Sequence, residues 1–394
     1  MNDTQHMKWI LPAIIVSQFF CTSLWFAGNA VLPDLIKNIV ANPGFLANLT
    51  SAVQFGFITG TLVFAVLTIA DRFSPSVVFF CCSIIGAVFN LGIIIRGIPP
   101  SALLLFRFFT GFFLAGIYPV GMKIASDYFQ KGLGRSLGFL VGALVLGTAF
   151  PHLLKSVSAT LPWKYVIICI STLSVLGGLT MWLLVPDGPY RKQSQRLQFT
   201  SFLTGFRNKN FRSAATGYFG HMWELYSFWA FVPVMLTANK NYTHNDLNVS
   251  LLSFLIIACG AIACAVSGVL SQHFGAKRIA TIALSLSCLS CLLSPFFLLA
   301  HSVPLLVGFL LFWGLVVIAD SPLFSTLVAQ NVAEESRGTS LTIVNCIGFS
   351  ITIISIQLLK ILSEHINAQY LYLVLAIGPV IGLIALLQNK DGAA

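Results

Sequence analysis

Charge is scarce in this chain: Asp, Glu, Lys and Arg make up 9% of its 394 residues, and 12 of the 394 are acidic. A soluble domain carries about 25% charged residues, so the scarcity excludes an ordinary water-soluble enzyme or binding module. Missing too are the segments of about ten residues with strict apolar/polar alternation that a transmembrane β-barrel needs; the run from Val77 to Ile95 is apolar on nearly every face. No phosphate-binding Walker loop is present, so ATP-driven transport has no engine here. Neither an HExxH pair nor paired carboxylates on an accessible loop point to an intramembrane enzyme, and no cofactor or metal is expected. The first apolar stretch has no small-residue cleavage site after a short core and is read as a retained helix rather than a signal peptide. The nine cysteines, including the Cys288/Cys291 CxxC pair, all fall in apolar stretches; small core packing without disulfides is the expectation.

What the chain has instead is apolar length. It is 57% hydrophobic with a mean hydropathy of +0.88, and a bilayer core about 30 Å thick takes roughly 20 apolar residues per helix. Such stretches recur at 9–32, 48–70, 76–97, 101–122, 137–157, 164–186, 213–237, 251–271, 278–300, 304–329, 340–362 and 369–388. The fold class expected is an all-α membrane protein with twelve transmembrane helices. A formal charge of +10 on a soluble domain would suggest nucleic acid; in a membrane protein the positions of the charges matter more, and no nucleic-acid partner is expected. With the N-terminus inside, the inner segments hold Lys8, Arg72, Lys123, Lys131, Arg135, Arg191, Lys192, Arg196, Arg207, Lys209, Arg212, Lys277, Arg278, Arg337 and Lys390. The outer ends hold only Lys37, Arg96, Lys155, Lys164, Lys240 and Lys360. That asymmetry puts both termini in the cytoplasm. Short tails and loops fit a bacterial inner membrane.

The basic stretch from Pro186 to Arg212 divides the chain almost equally, so the expected organisation is a six-helix bundle over 1–186, a cytoplasmic linker over 187–212 and a second bundle over 213–394. Landmarks recur at a near-constant offset, as an internal repeat requires. Ser23-Leu24-Trp25 answers Ser227-Phe228-Trp229, Ala70–Phe73 answers Ser271–Phe274, and Gly111 and Pro119 answer Gly314 and Pro322, both 203 residues on.

On these residues the sequence resembles the major facilitator superfamily across essentially its whole length. The segment Gly268–Arg278 is similar to that family's signature loop between paired helices, with Gly275, Lys277 and Arg278 matching and Gln272 where the acid often stands. Of the first copy Asp71-Arg72 remains. The resemblance implies that these five residues belong to conformational-switch loops. Arg107, Gly111 and Gly116 resemble the family's helix 4 motif, which is linked to proton coupling. The helix 5 antiport signature, a Gly-Pro pair among spaced glycines, is not reproduced: Pro151 comes late.

A charge at mid-bilayer costs roughly 3 kcal/mol on insertion scales, so each such residue is a functional candidate. Arg107, Glu224 and Asp320 qualify, in helices 4, 7 and 10; the resemblance implies that helices 1, 4, 7 and 10 line a central cavity. At 1.5 Å per residue Glu224 lies about 17 Å from its helix start and Asp320 about 14 Å from its helix end, near the midplane. Arg107, about 9 Å from the outer end, is long enough to snorkel instead. Asp320 has a local alternative, satisfying backbone groups freed by Pro322. Gln18, Thr22, Trp25 and Asn29 form a polar stripe on helix 1, which interhelical glue explains equally well. On helix 4 Arg107, Gly111, Leu114 and Tyr118 align, Trp313 shares a face with Asp320, and Trp229 answers Trp25. His221, three residues before Glu224, is a proton partner or a satisfied core histidine.

The function these observations favour is secondary active transport: proton-coupled uptake of a small polar or anionic organic solute by alternating access. Its partners are that solute, protons and the lipid bilayer, and the carrier is expected to be a monomer. Glu224, Asp320 and His221 are the candidates for proton coupling. Arg107, Gln18, Trp25, Asn29, Tyr118, Trp229 and Trp313 are the candidates for solute binding. Proton-driven efflux of amphipathic compounds, which the many phenylalanines suit, is the first alternative, and a non-transporting receptor or scaffold is the second.

Overall fold

The computed structural model describes residues 3–37, 44–129, 133–157, 161–191, 205–333 and 336–388, with side chains from Trp9 onward and excepting those of 133–135. Lys131, Lys192, Arg196 and Lys390 lie outside the described residues, as does most of the expected linker, and the side chains of Lys8 and Arg135 are likewise not described. Among the described residues every regular element is helical. Ten spans are long and apolar enough to cross a bilayer. Among the described residues there are also a shorter apolar helix over Trp9–Thr22 and the 35-residue helix Lys209–Thr243, a total consistent with the twelve expected.

Contacts divide the chain into two compact units, Met1–Arg196 and Leu197–Ala394. The first contains α1 (Asp3–Thr22), short α2 (Ala27–Ala30) and α3 (Leu32–Ile36), α4 (Phe45–Val66), α5 (Ile69–Arg72) and α6 (Pro75–Leu91). It continues with α7 (Pro100–Leu114), α8 (Tyr118–Tyr128), α9 (Leu133–Val157) and α10 (Lys164–Leu184). The second contains α11 (Lys209–Thr243), α12 (Val249–Ala258), α13 (Gly260–Phe274), α14 (Ala276–Phe297) and α15 (Val303–Ala319). Then come α16 (Ser321–Gln330), α17 (Arg337–Ser363), a 3-10 turn over Leu371–Ala376 and α18 (Ile377–Gln388).

The interior is mostly apolar but admits amides and charges, and large apolar side chains also cover the outside. Gln18, Gln54, Asn90, Arg107, Glu224 and Asp320 are buried, while Phe55, Ile262, Phe296 and Ile354 are exposed. Large exposed apolar surface of this kind is what a helix turned toward lipid presents.

The internal repeat has a physical form within each unit. A Cβ on Gly111 of α7 would strike the Val53 carbonyl of α4, and one on Gly314 of α15 would strike the Ile256 carbonyl of α12. Gly111 and Gly314 are 203 residues apart, and so are Val53 and Ile256. Each glycine lets two helix backbones touch where any side chain would hold them apart. Both helices then break just before the repeated proline: α7 stops at Leu114 and α8 starts with Pro119 in its first turn, while α15 stops at Ala319 and α16 starts with Pro322 in its first turn. Proline has no N–H for the helix ladder and clashes with the preceding turn, which ends the upstream helix. A Cβ on Gly268 of α13, by contrast, would meet nothing within 4 Å.

One span departs from its repeat partner. Helix 1, expected to run over 9–32, is interrupted at Ser23–Phe26, whereas α11 passes through Ser227 and Trp229 unbroken. Hydroxyls at the break turn back on the preceding turn, Thr22 donating to the Gln18 carbonyl at 2.8 Å and Ser23 to the Phe20 carbonyl at 2.6 Å. Such back-bonding bends helices.

Candidate functional site

In the first unit the break in helix 1 is held by Arg107. Its guanidinium is fully buried, and both terminal nitrogens are committed. Nη1 donates to the Leu24 carbonyl and to Asn90 Oδ1, each at 3.1 Å; Nη2 donates to the Leu24 carbonyl at 3.1 Å and to the Trp25 carbonyl at 2.5 Å. Asn90 in turn donates to Ser171 at 3.0 Å, tying α6 to α10. A planar fork of donors suits two adjacent carbonyls better than an ammonium does. The side chain does not run to the interface, and its paired terminal donors face protein rather than an open surface. At the corresponding position of the second unit stands Leu310, and there helix 7 remains continuous.

The polar stripe of helix 1 is buried throughout. Asn29 donates to Thr50 of α4 at 2.8 Å, and Trp25 lies 4.8 Å from Phe57, centroid to centroid. Gln18 lies against Gly121 of α8, and neither of its amide atoms has a hydrogen-bond partner. Tyr118 is half-buried at the start of α8, beyond the break that separates it from Arg107 and Gly111. Asp71 pairs with Lys123 of α8 at 2.9 Å, with Asp127 3.6 Å from the same ammonium. Arg191 donates to the carbonyls of Asp71 and Phe73 and pairs with Asp187, so the chain leaving α10 is tied to the turn after α5. Arg72 is exposed.

The second unit gathers the acids. Glu224 is 1% exposed, and its Oε1 accepts hydrogen bonds from Ser287 Oγ of α14 at 2.5 Å and Trp313 Nε1 of α15 at 2.6 Å. The Cys291 thiol lies against the same carboxylate, and Asp320 is near enough for the two acids to interact. One turn before Glu224, His221 Nδ1 stands 2.8 Å from Asp320 Oδ1, both side chains 1% exposed. Asp320 occupies the junction of α15 and α16 but makes no side-chain cap there; it turns to the histidine rather than to the backbone freed by Pro322. Trp313 also packs on Phe228, and Trp229 packs on Tyr226. Gly275 joins α13 to α14 with φ +84°, a left-handed conformation that glycine adopts without cost. Arg278 is exposed and Lys277 half-buried beside it.

Thus the structure unites Glu224 with Trp313, and His221 with Asp320, in one unit, and Arg107 with the carbonyls of helix 1 in the other. Sequence reasoning passed over Asn90, Gln54 and Ser287, which complete these networks or share their faces. Asn90 and Gln54 stand out in retrospect as amides inside the apolar stretches 76–97 and 48–70.

Buried ionisable groups on long apolar helices, in two compact units, are what a multi-pass membrane carrier presents. The chain belongs to the Major Facilitator Superfamily, whose family model matches residues 14–356, and it is a secondary transporter rather than an enzyme. A search of curated proteins found no match. Among solved structures, the human organic anion transporter MFSD10 (TETRAN) is 14% identical, with a TM-score of 0.75 over 98% of this chain and 100% of that one. The proton:xylose symporter XylE, bound to 6-bromo-6-deoxy-D-glucose, is 11% identical with a TM-score of 0.75 over 98% and 96%. A bacterial homolog of the human lysosomal transporter Spinster, inward-facing and unoccupied, is 15% identical with a TM-score of 0.68 over 98% and 96%. At these identities the likeness is one of fold.

Proposed function

We propose that the protein is a proton-coupled uptake carrier for a small polar organic solute, a monomer in a bacterial inner membrane with both termini cytoplasmic, working by alternating access of bundles 1–186 and 213–394. The observation that carries the coupling is the set Glu224, His221 and Asp320. Two carboxylates and an imidazole are buried at bilayer depth, where an idle charge is costly. Glu224 is held by two neutral donors, Ser287 and Trp313, so no fixed cation locks it in one protonation state. His221 Nδ1 and Asp320 Oδ1, 2.8 Å apart, put a ring nitrogen and a carboxylate oxygen at a distance across which a proton can pass. The absence of the helix 5 antiport signature favours uptake over efflux.

The test uses proteoliposomes and any solute that raises the melting temperature of the purified carrier. Glu224→Gln and Asp320→Asn keep shape and hydrogen bonding but lose the titratable proton. Each is expected to abolish accumulation driven by a pH gradient while sparing solute exchange. Wild-type accumulation in both variants would remove the proton-coupling role.

A further inference from the structure

A second set of buried polar atoms lies in the first unit. Gln18 on α1 and Gln54 on α4 are each fully buried with neither amide atom hydrogen-bonded. Asn29 Oδ1 on α2, Thr148 Oγ1 and His152 Nε2 on α9 are also buried and unpartnered. Short α2 packs on both α4 and α9. Thr22 Oγ1 reaches the Ala143 carbonyl of α9 at 3.5 Å, and Asn29 bonds Thr50, one helical turn from Gln54. Thr148 and His152 stand four residues apart on one face of α9. Around its break, helix 1 therefore meets α9 through Thr22 and α4 through Asn29, and each of these helices carries buried amide, hydroxyl or imidazole atoms without a partner.

A buried amide left without a partner costs stability, and native proteins keep few of them. Two whole glutamine amides idle in one unit signify groups reserved for something other than folding. Their chemistry is specific: both donors and acceptors, with no net charge. Arg107, the mid-span cation that would favour an anion, has its terminal donors spent on Leu24, Trp25 and Asn90.

We infer that this face of the first unit, centred on Gln18, Gln54 and Asn29, binds a neutral, hydroxyl- or amide-rich solute, such as a sugar, polyol or nucleoside, rather than an anionic one. The inference rests on the proposed carrier function and narrows its substrate class. A polyhydroxylated solute offers paired donors and acceptors that an amide meets with two hydrogen bonds, while a carboxylate or phosphate would find only the single Nε–H of Arg107 and no open guanidinium fork.

The test pairs each neutral probe with an anionic counterpart on the same skeleton: glucose with glucuronate, and uridine with uridine monophosphate. Stabilisation of the purified full-length protein is expected from a neutral member of the set and not from its anionic counterpart. Gln18→Leu and Gln54→Leu should each weaken that binding about tenfold or more, the effect of one or more lost hydrogen bonds. In the solute-free protein the same two variants should raise the melting temperature, because leucine fills the space without an unsatisfied amide; an amide serving the fold would lower it. Binding by the anionic members alone, by none of the neutral ones, or undiminished binding in both leucine variants overturns the assignment. Proton movement is read separately: a neutral solute that binds and exchanges without moving protons sinks the coupling and leaves this site standing. A proton-coupled anion does the reverse.

Discussion

At the scale of the residue, Arg107 shows how far chemistry depends on partners that a one-dimensional pattern hides. Its depth in helix 4 is plain in the sequence, but depth alone fits a solute clamp, a snorkelling anchor or a structural tie. Four hydrogen bonds to Leu24, Trp25 and Asn90 make it a tie for the broken first helix. Lysine carries the same charge but concentrates its donors at one point, so Arg107→Lys would leave buried carbonyls or the Asn90 amide oxygen unpaired. The expected cost is about 1–3 kcal/mol of stability, read as a lower melting temperature of the solute-free protein. Arg107→Met should cost at least as much, since it removes every donor. An unchanged melting temperature in Arg107→Lys together with a collapse of solute affinity would return the guanidinium to solute recognition.

At the scale of the element, the legible part of the fold was whatever rests on composition and spacing. The long apolar helices and the repeat at an offset of 203 both follow from apolar length and spacing. What escaped were features set by contacts between helices. The interruption at Ser23–Phe26 is held by a cation 82 residues away in the chain, and the hydroxyls of Thr22 and Ser23 that bend the helix there do not mark a break in the sequence by themselves. Hydrophobic runs likewise read through the breaks before Pro119 and Pro322, because an apolar stretch has no period to interrupt. Asp320 could be placed at such a break, yet only the fold pairs it with His221. Glycines show the same limit: Gly111, Gly314 and Gly268 look alike in sequence, but the first two face backbone carbonyls and the third faces open space. Gly111→Ala and Gly314→Ala must therefore push two helices apart and should each destabilise by about 1–3 kcal/mol, the usual cost of overpacking. Gly268→Ala, in the interior of α13, should instead be neutral or stabilising by about 0.5–1 kcal/mol, from helix propensity alone. Equal melting temperatures for all three variants would contradict the close approach.

At the scale of the whole molecule, the two units share a scaffold but divide their polar chemistry unequally. The first places its mid-span charge in Arg107 and keeps neutral amides at Gln18 and Gln54; the second holds His221, Glu224 and Asp320, whose repeat counterparts in the first are Ser17, Phe20 and Ile117. Duplication followed by specialisation accounts for this: the glycine and proline positions that set helix contacts persist at one offset, while the residues that would meet solute or proton do not. Under the proposed alternating access the solute reaches these groups from both sides in turn, and the orientation in the bilayer decides which of the two is the cytoplasm. Basic residues cluster on the segments beyond Lys123, Arg191, Arg207 and Lys277 and are sparse on the opposite ends, and such residues are retained on the cytoplasmic side during insertion. The helix carrying Glu224 runs to Thr243 before turning, so a reporter inserted after Asn245 interrupts no helix. With twelve crossings that insertion should lie outside and a fusion at the C-terminus inside. An alkaline phosphatase fusion is active only outside the cytoplasm and a fluorescent reporter that folds only in the cytoplasm gives the complementary reading. The phosphatase should therefore be active after Asn245 and silent at Ala394, with fluorescence reversed. Activity of one reporter at both positions would mean an even number of crossings after helix 7, where twelve spans require five, and would undo the assignment of both termini to the cytoplasm.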